Sequence, residues 1–107
     1  MSREHLTAAL AKGVMGWTVG PDRFLMGNRG WMPRWRFQPT EKLEDAFRLL
    51  EEALPQEYII CRQEKSDTIH VLVRIRDVWG EALESSVALT ISYAVARAWG
   101  IEVDSTS

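Results

Sequence analysis

The sequence predicts an α+β fold, with three helices and a central, mainly antiparallel sheet. Three observations support that prediction. Apolar residues recur at helical spacing in an opening, a middle and a closing segment. Between them lie short alternating runs separated by turn residues, the pattern of hairpins. No two neighbouring strand candidates need the long crossover that parallel pairing demands.

The first helix starts at Ser2, whose hydroxyl can cap the free amides of the first turn, and runs to about Val14. Leu6, Ala9, Leu10 and Val14 make its apolar stripe, and Gly13 and Gly16 stand where the chain leaves it. Residues 17–19 form a short strand candidate, and Gly20-Pro21-Asp22 a turn. Residues 23–26 and 29–32 flank Gly27-Asn28, a dipeptide suited to a tight hairpin. Pro33 has no amide to donate and interrupts that ladder. Residues 34–38 alternate, which predicts a half-buried strand or an extended edge segment with Trp35 and Phe37 on one side and Arg34 and Arg36 on the other.

Thr40, after Pro39, is expected to cap the second helix. Its stripe is Leu43, Ala46, Phe47, Leu50, Ala53 and Leu54, with Glu41, Glu44 and Asp45 near the positive end of the helix dipole and Pro55 as its stop. Residues 58–63 and 68–76 read as paired strands. A loop centred between Lys65 and Ser66 sets Ile60 opposite Val71, Arg62 opposite Ile69 and Cys61 opposite His70. Ile69, Val71, Val73 and Ile75 form a clean apolar face, while the other face is mixed and expected to be partly covered. Residues 77–84 fit either a loop or a short edge strand. Ser85 or Ser86 caps the third helix, with Ala88, Ile91, Val95, Ala98 and Trp99 inward and Gly100 just past its end.

A length of 107 residues suits one domain, expected over residues 1–101 with a polar tail over 102–107. The net charge of −2 argues against a uniformly basic surface for nucleic acid. Cys61 is the sole cysteine, which excludes a disulfide within the chain and any multi-cysteine zinc site. The N-terminus lacks the apolar core of a signal peptide, and the longest uncharged run, residues 85–96, is short of the ~18 apolar residues of a membrane span. These features predict a cytoplasmic chain.

The order of motifs is similar to the phage ABA sandwich domain family. Val14-Met15-Gly16-Trp17 closes the first helix, Pro39-Thr40 precedes a helix with Ala46 in its first turns, and an alanine-rich helix over residues 86–98 ends the chain. The resemblance spans about residues 6–98. One departure is Ser85-Ser86, which stands before the last helix without the proline often found there. The resemblance implies an α/β/α sandwich, a bacteriophage or prophage origin and residence in the host cytoplasm. It supplies no catalytic motif to carry over.

Three constellations bear on function. From Arg23 to Arg36 the chain has four arginines and no acid, with Arg29, Arg34 and Arg36 interleaved with Trp31, Trp35 and Phe37. Guanidinium groups pair with phosphates and tryptophan stacks on bases, so Arg34, Arg36 and Trp31 are candidate contacts for a phosphate-bearing ligand. The ordinary reading of the same pattern is a solvated outer face. The second is Cys61 beside His70, a geometry compatible with an activated thiolate; a packed cysteine beside a histidine is its ordinary reading. The third is the load of five tryptophans. Trp17, Trp35 and Trp99 fall on core-facing positions, whereas Trp31 and Trp79, next to Gly30 and Gly80, are candidate interface anchors.

No phosphate-binding glycine loop, catalytic spacing or metal-ligand spacing is present, so no cofactor is expected. The prediction is a non-enzymatic accessory protein that binds a host or phage protein and forms a homo-oligomer. The alternative is a binder or sponge of a signalling nucleotide or short nucleic acid. Arg29, Trp31, Arg34, Arg36 and Trp79 are together the candidate ligand- or partner-binding residues.

Overall fold

The computed structural model describes residues 2–27, 30–62 and 65–103. Asn28 and Arg29 of the expected hairpin, and residues 104–107 of the expected tail, lie outside the described residues. Helix α1 spans Arg3–Gly13, with Ser2 accepting the His5 amide at 3.1 Å as N-cap. Strands β1 (Thr18–Val19), β2 (Arg23–Leu25) and β3 (Trp31–Pro33) follow, then a 3₁₀ turn over Arg34–Arg36 and helix α2 over Leu43–Glu52. Strands β4 (Glu57–Arg62), β5 (Ile69–Ile75) and β6 (Val78–Glu84) lead to helix α3 over Val87–Trp99.

The α+β class and the antiparallel pairing are as the sequence predicts. The strands divide into two three-stranded sheets, β1-β2-β3 and β4-β5-β6, rather than one central sheet. The innermost layer is α3, of which only Val87, Arg97 and Trp99 are not fully buried. On one side Ala94 and Ala98 press against Gly80 of β6; on the other the Ser92 hydroxyl lies 2.8 Å from Pro39 O, just before α2. A helix buried all round needs small residues where backbones meet, and the alanines and Gly80 supply them. A Cβ on Gly80 would run into the backbone of Ala94 and Ala98.

The second sheet follows the sequence pattern closely. β5 alternates buried and half-buried residues along its whole length, with Ile69, Val71, Val73 and Ile75 turned to α3. Ile60 pairs with Val71, Cys61 with His70 and Arg62 with Ile69, the register that centring the loop predicts. Residues 78–84 settle as a strand through a two-residue turn in which Arg76 and Asp77 both take positive φ. Non-glycine residues adopt that geometry at a cost, and Gln56 offsets it. Its side chain accepts the Asp77 amide at 2.7 Å and donates to Asp77 Oδ1 at 3.1 Å.

Three local expectations are corrected. Thr40 does not cap α2: the chain first makes a turn in which the Glu41 and Lys42 amides bond Gln38 O, and the helix starts after Lys42. Asp45 reaches back instead and accepts the Gln38 amide at 2.9 Å. Leu54 leaves the stripe because it follows the helix in a left-handed conformation, φ 52°, and is 81 % exposed. Residues 34–38 are not a strand. In a 3₁₀ turn residues three apart share a face, so Arg34 and Phe37 both turn onto Phe24 while Trp35 is left outside.

Candidate functional site

The first sheet is held by aromatic packing. Gly16, at φ 73°, turns the chain back at the end of α1, and the Trp17 amide then bonds Ala11 O at 3.0 Å. This places Trp17 against Phe24 and Phe37, with ring centroids 5.7 and 5.1 Å away, while Phe24 and Phe37 meet edge to face at 6.0 Å. Such pairs add about 1 kcal/mol each beyond simple burial. The Val14-Met15-Gly16-Trp17 block is thus a reversal that delivers Trp17 to this cluster.

Outside the cluster lie two large exposed aromatics. Trp31 is 56 % exposed and Trp35 63 % exposed. The assignment of Trp35 to the core is therefore a correction, and its cause is the 3₁₀ turn after Pro33. Trp35 borders two clefts. One, of about 370 Å³, runs between α1 and the turn, where Arg3 and Arg34 face Glu4 and Glu41. The other, of about 420 Å³, lies between β3 and α2 and combines Met26, Trp31, Met32 and Trp35 with Arg36, Lys42 and Arg48. Glu44 and Asp45 line the same cleft.

The basic segment is less free than its sequence suggests. Asp22, just before it, holds Arg23 through two bonds of 3.0 and 3.1 Å. That hydrogen-bonded pairing lowers the Asp22 pKa below its ordinary value and raises that of Arg23. The Arg23 guanidinium lies 4.6 Å from the Trp31 ring centroid, a cation–π contact. Arg34 lies 5.6 Å from the Phe24 ring and Arg48 5.5 Å from Trp17. Arg3 and Glu41 approach to 3.6 Å across the first cleft.

Of the candidates named from sequence, Trp31, Arg34 and Arg36 come together around Trp35, with Arg34 and Arg36 in different clefts. Arg29 lies outside the described residues. Trp79 belongs to the other sheet, on β6, where it is 48 % exposed and has the Arg74 guanidinium 5.7 Å from its ring. Lys42, Arg48, Met26 and Met32 were not among the candidates. Only the i, i+3 relation of Arg34 and Phe37 after a proline hints at the turn that exposes Trp35 between them.

Cys61 and His70 are direct partners across β4 and β5 on the face turned away from α3. His70 Nε2 lies 2.7 Å from Glu81 Oε2, an acidic neighbour supplied by β6. Neither Cys61 nor His70 lines the clefts described above. Among the described residues no group of three or more His, Cys, Asp or Glu is placed to hold a metal ion, and no helix is long and apolar enough to cross a membrane.

No family model matches the chain, and no curated protein matches it in sequence. A solved structure does match: the crystal structure of a phage protein from Bacillus cereus. The two superpose with a TM-score of 0.78 over 97 % of this chain and 93 % of that one, at 13 % identity. The two chains share a fold.

Proposed function

We propose that this chain is a small phage or prophage accessory protein, of the phage ABA sandwich kind, that works in the host cytoplasm by binding a protein of host or phage. One observation supports this reading above the others: the cleft between β3 and α2, walled by Trp31, Trp35, Met26 and Met32 and rimmed by charges of both signs. Exposed tryptophan costs solvation unless something covers it, and tryptophan and arginine are the usual anchors of protein interfaces. Methionine adapts its shape to an incoming side chain. The fold shared with a phage protein supports the origin. Action by binding is the reading that the tryptophans and methionines of the cleft support, since none of them is an acid–base or nucleophilic group.

The experiment is quantitative capture from extract of the cells that naturally make the protein, comparing wild type with Trp31→Ala/Trp35→Ala. A partner retained by wild type and reduced at least about tenfold with the double variant supports the reading. Equal retention by both overturns it.

A second reading is capture of a phosphate-bearing ligand in the same cleft, favoured by Arg36, Lys42 and Arg48 along its wall. Glu44 and Asp45 in that wall weigh against it. It predicts calorimetric heats with nucleotides or short oligonucleotides in low salt that Arg36→Glu abolishes. Absence of heat for the whole series removes it.

A further inference from the structure

We infer that two copies of this chain pair through β4 to form one continuous six-stranded sheet. The inference is independent of the cleft described above and uses the other sheet. β4 is the barest strand of its sheet: Ile60 alone is half-buried, and its other five residues are exposed. α3 packs chiefly on β5 and β6, so β4 overhangs the helical layer.

The two edges of this sheet differ. At β6, Arg97 of α3 donates to Glu81 O at 2.6 Å, so a side chain engages that strand's main chain. Among the described residues no side chain is hydrogen-bonded to the main chain of β4. Open edges are usually protected by a proline, a bulge or a central charge. β4 has none of these. Its centre is Tyr58-Ile59-Ile60-Cys61, uncharged and strongly strand-forming, with Glu57 at one end and Arg62 at the other.

That charge pattern identifies the occupant. An antiparallel second copy sets Arg62 of each strand across from Tyr58 of the other on the same face, whereas a parallel in-register copy sets Glu57 on Glu57 and Arg62 on Arg62. Within the sheet two further polar contacts lie across neighbouring strands. Glu57 lies 3.3 Å from Arg74, and His70 lies 2.7 Å from Glu81. The β4 edge itself carries one acid and one base, so it meets its own copy with no net charge on either strand.

The register follows from symmetry. A two-fold axis relating antiparallel edge strands stands normal to the sheet and preserves its faces, so opposed residues share parity. With Ile60 on the axis, Tyr58 of each copy faces Arg62 of the other, and Ile59 faces Cys61. The guanidinium then lies against the phenol ring, a favourable cross-strand pair repeated twice. Both α3 helices lie on the same side, with Tyr58 and Ile60 of both copies between them.

Sedimentation velocity from about 1 to 200 μM is expected to show a dimer for the wild-type chain. Tyr58→Lys sets lysine opposite Arg62 and is expected to weaken the dimer at least about tenfold. Tyr58→Lys/Arg62→Glu recreates an opposed pair and is expected to restore it, with circular dichroism showing the same fold for each variant. Cys61 adds a test that needs no substitution. In this register the two thiols flank the axis at roughly 8 Å between Cα atoms, and a short bismaleimide joins them. Four results overturn the inference: a wild-type monomer at about 200 μM, a dimer indifferent to Tyr58→Lys, a folded double variant that stays monomeric, or a dimer that does not cross-link through Cys61.

Discussion

The two sheets are built on different principles. The second has strands of six and seven residues and packs a continuous apolar face onto α3. The first has strands of two and three residues and is held by the Trp17, Phe24 and Phe37 rings. A ladder that short contributes little alone, so aromatic packing fixes its position. One consequence is geometric freedom around the cluster. The chain after β3 can turn sharply, and in turning it exposes Trp35 beside Trp31. The regular sheet supports the fold, and the irregular one presents the candidate site.

The sharpest test of that division is Gly80→Ala. The new methyl group meets backbone atoms of α3 that cannot move without shifting the whole helix. A loss of about 3 kcal/mol is expected, read as a lower urea midpoint with unchanged slope. If the change is nearly neutral, α3 is not the rigid support described. A smaller effect is expected at the joint between the regions. Asp45→Ala leaves the Gln38 amide without its acceptor and should cost about 1–2 kcal/mol. Its hydrogen exchange signature should be faster exchange at Gln38, with β5 unchanged.

The smallest effect concerns pH. Asp22 has a folded-state pKa lowered chiefly by its hydrogen bond to Arg23. A lowered pKa gives stability that is present above the ordinary carboxylate value and lost as pH falls through the lowered one. Since the pair lies at the surface, where solvent screens it, its contribution is small. An NMR titration should place the Asp22 carboxyl below its ordinary value, and Arg23→Gln should return it there.

The same contrast explains what was legible in the sequence. In the second sheet period-two alternation, a centred loop and a packed helix agree with one another. Pairing such as Cys61 with His70 therefore follows from counting residues. Strand β6 was less legible because Arg76 and Asp77 give no sign that they turn the chain; Gln56, 21 residues before Asp77, stabilises that turn. Around the candidate site, alternation misled. Residues 34–38 have the polarity of a strand, yet Pro33 and the pull of Phe37 toward Phe24 impose a 3₁₀ turn. Trp31 was legible as an exposed candidate beside Gly30, whereas Trp35 was hidden by a pattern that only tertiary packing overrides. The free positive charge of residues 23–36 was likewise overstated, because Asp22 stands one position outside it.

The five tryptophans are built-in reporters for the central claim, that the first sheet is the binding surface. With 5-fluorotryptophan incorporated, each gives one ¹⁹F resonance, assigned by single substitution. On addition of the partner captured by wild-type protein, the resonances of Trp31 and Trp35 should shift or broaden. Those of Trp79 and Trp99 should stay in place. Movement of Trp79 alone, with Trp31 and Trp35 unchanged, would contradict the account.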